Sequence, residues 1–119
     1  MANTTQAELF HRDELEHNEN SHTFNGHEHG GVGVSFFLVH YNTRRGPSLH
    51  RHPYAEVFVV ENGEALFTVD GNEMTARGGD IVVAPAGAPH KFINTGSDEL
   101  RITSMHPVAE METEWLEEG

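Results

Sequence analysis

After Gly30 the hydrophobic positions gather into short runs: Val32 to Tyr41, Glu56 to Val60, Ala65 to Val69, Ile81 to Ala84, His90 to Asn94 and Leu100 to His106. Such runs, rich in Val, Ile, Phe and Thr, predict β-strands. Asn62-Gly63, Asp70-Gly71, Gly78-Gly79-Asp80 and Pro85-Ala86-Gly87 punctuate the stretches between them, which predicts tight turns with positive φ at Gly63, Gly71, Gly79 and Gly87. No helix of core length interrupts the strands, so the pattern predicts an all-β sandwich or barrel and not alternating βαβ units. Glu56-Val57-Phe58-Val59-Val60 is apolar on both faces except at Glu56. One face should meet the interior and the other a second layer or subunit. A carboxylate at the head of such a strand needs a reason.

The ends have a different texture. Residues 1–24 read as a polar arm with few large apolar groups (Leu9, Phe10, Leu15, Phe24). Within it Thr5-Gln6-Ala7-Glu8 has the spacing of a capping box and predicts the start of a short helix. Residues 25–107 would form the barrel and 108–119 a C-terminal tail. In that tail Val108, Met111, Trp115 and Leu116 recur at i, i+3, i+7 and i+8 among glutamates, which predicts a short amphipathic helix. It should pack on the barrel wall or a neighbouring subunit, since the chain's only Trp is a poor candidate for exposure.

Composition narrows the function. The chain has 119 residues, 7 basic and 19 acidic side chains and a formal charge of −12, with no basic stripe, so neither a nucleic acid nor an anionic membrane surface suits it. No apolar run reaches the roughly 18 residues of a membrane span, and the first residues lack the charged and apolar regions of a secretory signal. The expectation is a cytoplasmic protein. Cysteine is absent, so a metal site must be built from His and carboxylate. Ten histidines make that worth testing. No phosphate-cradling Gly-rich loop and no Gly-x-Ser-x-Gly or Cys nucleophile is present, which removes nucleotide cofactors and covalent hydrolase chemistry from consideration.

His50-Arg51-His52-Pro53-Tyr54-Ala55-Glu56 carries the chemistry. Histidines at i and i+2 of a strand project from one face. Pro53 interrupts the strand, and the bend can swing Glu56 back toward the same point, its even parity keeping it on the interior side. Two His and one Glu form a recognised ligand set for a first-row divalent metal. His90, after Pro85-Ala86-Gly87-Ala88-Pro89, begins another strand and can supply a fourth ligand.

These residues resemble the paired motifs of the cupin superfamily. His50-x-His52-x3-Glu56-x6-Gly63 is similar to the core of the first motif, and Gly79-x5-Pro85-x-Gly87-x2-His90-x3-Asn94 to the whole of the second. The first motif usually opens with Gly separated by five residues from its first His; here only three residues, Pro47 to Leu49, lie between Gly46 and His50. His29-Gly30-Gly31 and Thr113-Glu114-Trp115-Leu116 also look like small single-domain cupins. The resemblance implies a double-stranded β-helix, or jelly-roll barrel, with one divalent ion (Fe, Mn, Ni or Zn) held by His50, His52, Glu56 and His90. It further implies a homodimer. Three neutral imidazoles and a carboxylate leave such an ion a net charge near +1 and, in an octahedral site, two open positions.

That set implies a metal-dependent enzyme acting on a small organic molecule by oxygenase, isomerase or lyase chemistry, each of which uses a metal that polarises an oxygen-bearing substrate or binds dioxygen. The alternative is a cupin that binds or senses a small ligand or metal without turnover. An acid/base in the pocket beyond the ligands separates the two, and His106 and His40 are the candidates. Either can instead be an ordinary polar strand residue. His27-Glu28-His29 repeats the His-x-His spacing without a second half.

Overall fold

The computed structural model describes residues 7–117. Eleven strands run through them: β1 (Glu16–His17), β2 (Ser21–Phe24), β3 (Ser35–Tyr41), β4 (His50–Arg51), β5 (Glu56–Asn62), β6 (Glu64–Val69), β7 (Asn72–Arg77), β8 (Ile81–Ala84), β9 (His90–Asn94), β10 (Leu100–His106) and β11 (Glu114–Trp115). All pair antiparallel in two sheets, ordered β1-β2-β3-β10-β5-β8 and β11-β4-β9-β6-β7. This is the all-β, two-sheet jelly roll that the strand pattern and the motifs imply. Among the described residues the helical segments are two 3-10 turns, Arg12–Glu14 and Gly26–Glu28.

Period-2 patterning sets the two faces. Phe58 and Val60 on β5, Ala65, Phe67 and Val69 on β6, Val82 and Ala84 on β8, Phe92 on β9 and Leu100 and Ile102 on β10 close into one core. Phe58, Phe67 and Phe92 meet one another with ring centroids 5.2–5.9 Å apart. The glycines predicted to turn the chain have φ of +88 (Gly63), +80 (Gly71), +98 (Gly79) and +78 (Gly87). Strand β7 escapes the hydrophobic pattern because only Ala76 of its six residues is buried. It exists because Asp70 and Gly71, both at positive φ, fold the chain back so that Asn72–Arg77 pairs along β6.

The amphipathic helix expected over 108–119 does not form in the described part of that segment. A helix this short is marginal without packing, whereas β4 presents an edge whose backbone groups need partners. The chain takes the second option: Glu114 pairs with Arg51 and Trp115 with His50, and Arg51 Nε donates to Glu114 Oε1 at 2.7 Å. Trp115 is left 58% exposed. Of the capping box Thr5-Gln6-Ala7-Glu8, Thr5 and Gln6 lie outside the described residues, and residues 7–11 are not helical.

Candidate metal centre

The first motif works because it changes sheets. Strand β4 belongs to the five-stranded sheet and β5 to the six-stranded one, so His52-Pro53-Tyr54-Ala55 crosses between them. Proline has no N–H to leave unpaired at that break. His50 arrives from one sheet and Glu56 from the other, both facing the space between. His90, at the head of β9, sits directly opposite His50 in the ladder, and His106, at the end of β10, reaches the same mouth. All five are buried: His50 8%, His52 3%, Glu56 3%, His90 2% and His106 1% exposed.

Ligand atoms of His50, His52, Glu56 and His90 lie within 4.8 Å of one another. Each imidazole is held by its far nitrogen. The Nδ1–H of His50 donates to the Ser48 carbonyl at 2.7 Å, that of His52 to Glu112 at 2.8 Å and that of His90 to Ala88 at 2.9 Å. Carbonyl partners of this kind fix the tautomer and leave the Nε2 lone pair free. Those lone pairs face a carboxylate: His52 Nε2 is 2.9 Å and His90 Nε2 3.0 Å from Glu56 Oε1.

Acceptors facing acceptors at that distance in a buried site repel unless a cation or a proton lies between them. The His52 contact is off the hydrogen-bonding line, and its Nε2 has no hydrogen-bond partner. Two donors about 2.1 Å from one ion, at a right angle, lie about 3.0 Å apart, so the arrangement fits a divalent metal.

The charges agree with that reading. Burial by itself would raise the Glu56 carboxyl, but the His106, His52 and His90 rings around it outweigh burial and hold it ionised, well below the usual carboxylate range. Burial pushes His50 down to about 4, against the raising effect of the Ser48 carbonyl, so it is neutral and fit to ligate. His52 is also penalised by burial, yet the Glu56 carboxylate and the Glu112 carbonyl leave it raised.

His106 is arranged differently. Its Nδ1 is 2.7 Å from the Tyr54 hydroxyl, which accepts the Glu112 N–H at 3.2 Å and is stacked on the His52 ring. The His106 Nε2 lies 3.2 Å from Glu56 Oε2 without a hydrogen bond to it, and when the Tyr54 hydroxyl gives its proton to Nδ1 the ring proton sits on Nε2. His40 is elsewhere: on β3 it is Phe37, Val39 and Tyr41 that line the cavity, while His40 points outward near His22, ring centroids 6.0 Å apart. The His27–His29 pair is not brought to the site; His29 stacks on Phe24 at 4.5 Å.

The centre opens on a cavity of about 220 Å³ walled by Phe37, Tyr41, Phe58, Phe92 and Trp115, with Ser104 and Thr113 as neutral polar groups. Sequence reasoning places Tyr54 beside the ligand bend, able to line the mouth or simply to pack in the turn. Glu112 it missed altogether, because Glu112 acts through its backbone N–H and carbonyl, which no side-chain pattern reveals.

A cupin-domain family model matches residues 37–106, more than half of the chain. The chain belongs to the cupin family. No curated protein sequence matches this cupin. Among solved structures, oxalate decarboxylase from Bacillus subtilis at pH 4.6 superposes with a TM-score of 0.76 over 88% of the chain at 20% identity. The Lactobacillus farciminis oxalate decarboxylase formate complex gives 0.77 over 90%, also at 20% identity. The cupin spans only 30% and 35% of the lengths of those two proteins. The Schizosaccharomyces pombe Cnp3 cupin domain gives 0.61 over 64% of the chain and 56% of its own, at 14% identity. At these identities the likeness is one of fold.

Proposed function

We propose that this cupin is a divalent-metal-dependent enzyme acting on a small oxygen-bearing organic molecule, with oxygenase, isomerase or lyase chemistry. The observation that carries the reading is a complete His50, His52, Glu56, His90 donor set in a cavity that also holds a fourth buried imidazole, His106, outside that set. The ion, when bound, would polarise a substrate oxygen or bind dioxygen. The chain's own residues do the rest. Aromatic walls exclude water and hold the carbon skeleton, Ser104 and Thr113 offer hydrogen bonds, and His106 Nε2 holds a proton within reach of the site, backed by the Tyr54 hydroxyl. The fold shared with two oxalate decarboxylases supports a catalytic cupin; it does not select the substrate.

The assembly proposed with it is a homodimer through the outer face of the six-stranded sheet. Phe24, Phe36, Met105, Val57 and Val83 are successive ladder partners across five strands, with Leu38, Thr103, Val59 and Ile81 in the next row. None of these nine is acidic. The Glu61 carboxylate borders these rows and accepts the Thr103 hydroxyl at 2.7 Å; in a chain of charge −12, a face with so few acids is where a second copy can approach with little like-charge repulsion.

Elemental analysis of untagged protein purified without chelator, beside H52A, tests the metal reading, followed by oxygen-uptake and turnover assays with diols, diketones and hydroxy acids. About one equivalent of Fe, Mn, Ni or Zn per chain, lost in a folded H52A, is expected. No retained metal and no turnover with any of the four ions would sink the enzyme.

A further inference from the structure

The residues that orient the metal ligands are not all in the cupin motifs. The backbone of one residue, Glu112, grips the centre from both sides: its carbonyl accepts the His52 Nδ1–H and its N–H donates to the Tyr54 hydroxyl that holds His106. Glu112 lies beyond residues 37–106, the span of the family match. It belongs to an exposed strap, residues 112–117, laid on the edge of β4.

Few ties hold the strap down. Besides the Glu112 contacts they are two ladder pairs, the Leu116 N–H to the Leu49 carbonyl at 2.9 Å, the Leu49 N–H to Glu117 Oε1 at 3.0 Å, the Thr113 hydroxyl 3.3 Å from His52 Nδ1, and the Arg51–Glu114 and Lys91–Glu117 pairs at 2.7 and 3.4 Å. Trp115 leans on His50 at 4.8 Å and walls the cavity. A short, exposed edge strand is the kind of segment that opens by itself, without global unfolding. When it opens, the His52 Nδ1–H loses its carbonyl and the Tyr54 hydroxyl its donor.

We propose that the Glu112 backbone is a positioning group of the metal centre, so that strap docking and metal binding form one coupled equilibrium. The proposal rests on the metal-binding reading above. Loss of a partner of this kind weakens metal affinity by about 10- to 100-fold. Coupling is reciprocal, so metal must tighten the strap by the factor by which the strap tightens metal.

The test is residue-resolved amide hydrogen exchange by NMR on the full chain, metal-free and with saturating Zn(II), with binding measured separately by competition. The Glu112 and Leu116 amides should exchange about 10- to 100-fold more slowly with Zn(II), while amides that open locally in the β6–β7 hairpin keep their rates. A chain ending at Met111 should bind Zn(II) more weakly by the same factor. If the full chain binds Zn(II) and the strap amides do not slow, the coupling is refuted while the metal site stands, whether or not the shortened chain folds. If the full chain binds no Zn(II), the metal reading falls first and takes the coupling with it.

Discussion

Glu56 is the residue whose position made least sense in isolation, a charge heading an otherwise apolar strand. Buried to 3% and ringed by imidazoles, it is tolerable only because those rings, or an ion between them, stabilise its charge. Its neighbour His50 shows the opposite balance, held neutral by burial with a pKa of about 4. In the unfolded chain the same ring titrates near 6.5. Between those values the unfolded state binds a proton that the folded state does not, so stability falls as pH drops through that window. His52, whose pKa is raised, acts in the other direction and loses its contribution as pH rises. The metal-free melting temperature of H50Q, measured in chelator, should therefore fall less steeply than wild type between about pH 6.5 and pH 4. Equal slopes would show that His50 is not the group resisting protonation.

Among the elements, the loop between β3 and β4 has the least room. A Cβ on Gly46 would sit 1.9 Å from the Phe92 carbonyl oxygen, because the loop is drawn onto β9 by the Arg44 N–H to the Asn94 carbonyl at 2.7 Å and the Asn94 N–H to the Arg45 carbonyl at 3.0 Å. Close approach, not an unusual φ, is why glycine stands here. G46A must push the loop away from β9 and should destabilise the protein by about 1–3 kcal/mol in denaturant unfolding. A change within error would mean that the loop yields freely. The tail teaches a related lesson: its apolar spacing suits a helix, but an available strand edge offered better partners for its backbone.

For the whole molecule, the outward apolar rows give the proposed dimer a direct check. Ile81 and Val83 are 65% and 56% exposed on edge strand β8, and substitution of an exposed residue there leaves the core untouched. Light scattering behind size exclusion should give about twice the 13.2 kDa chain mass for wild type and a monomer for V83E with an unchanged circular dichroism spectrum. A wild-type monomer would remove the dimer. The barrel itself was largely legible in the sequence. Strand periodicity, turn glycines and the His-x-His-x3-Glu and Pro-x-Gly-x2-His spacings are local properties, and local backbone geometry turns them directly into strands, turns and a shared inward face. Which sides of β3 and β10 face the cavity, and so that His106 enters it and His40 does not, depends on how two sheets stack. That the tail pairs with β4, and that a peptide carbonyl sixty positions after His52 holds its ring, depends on contacts between segments distant in the chain. No pattern within either segment encodes those contacts, so only the tertiary structure decides them.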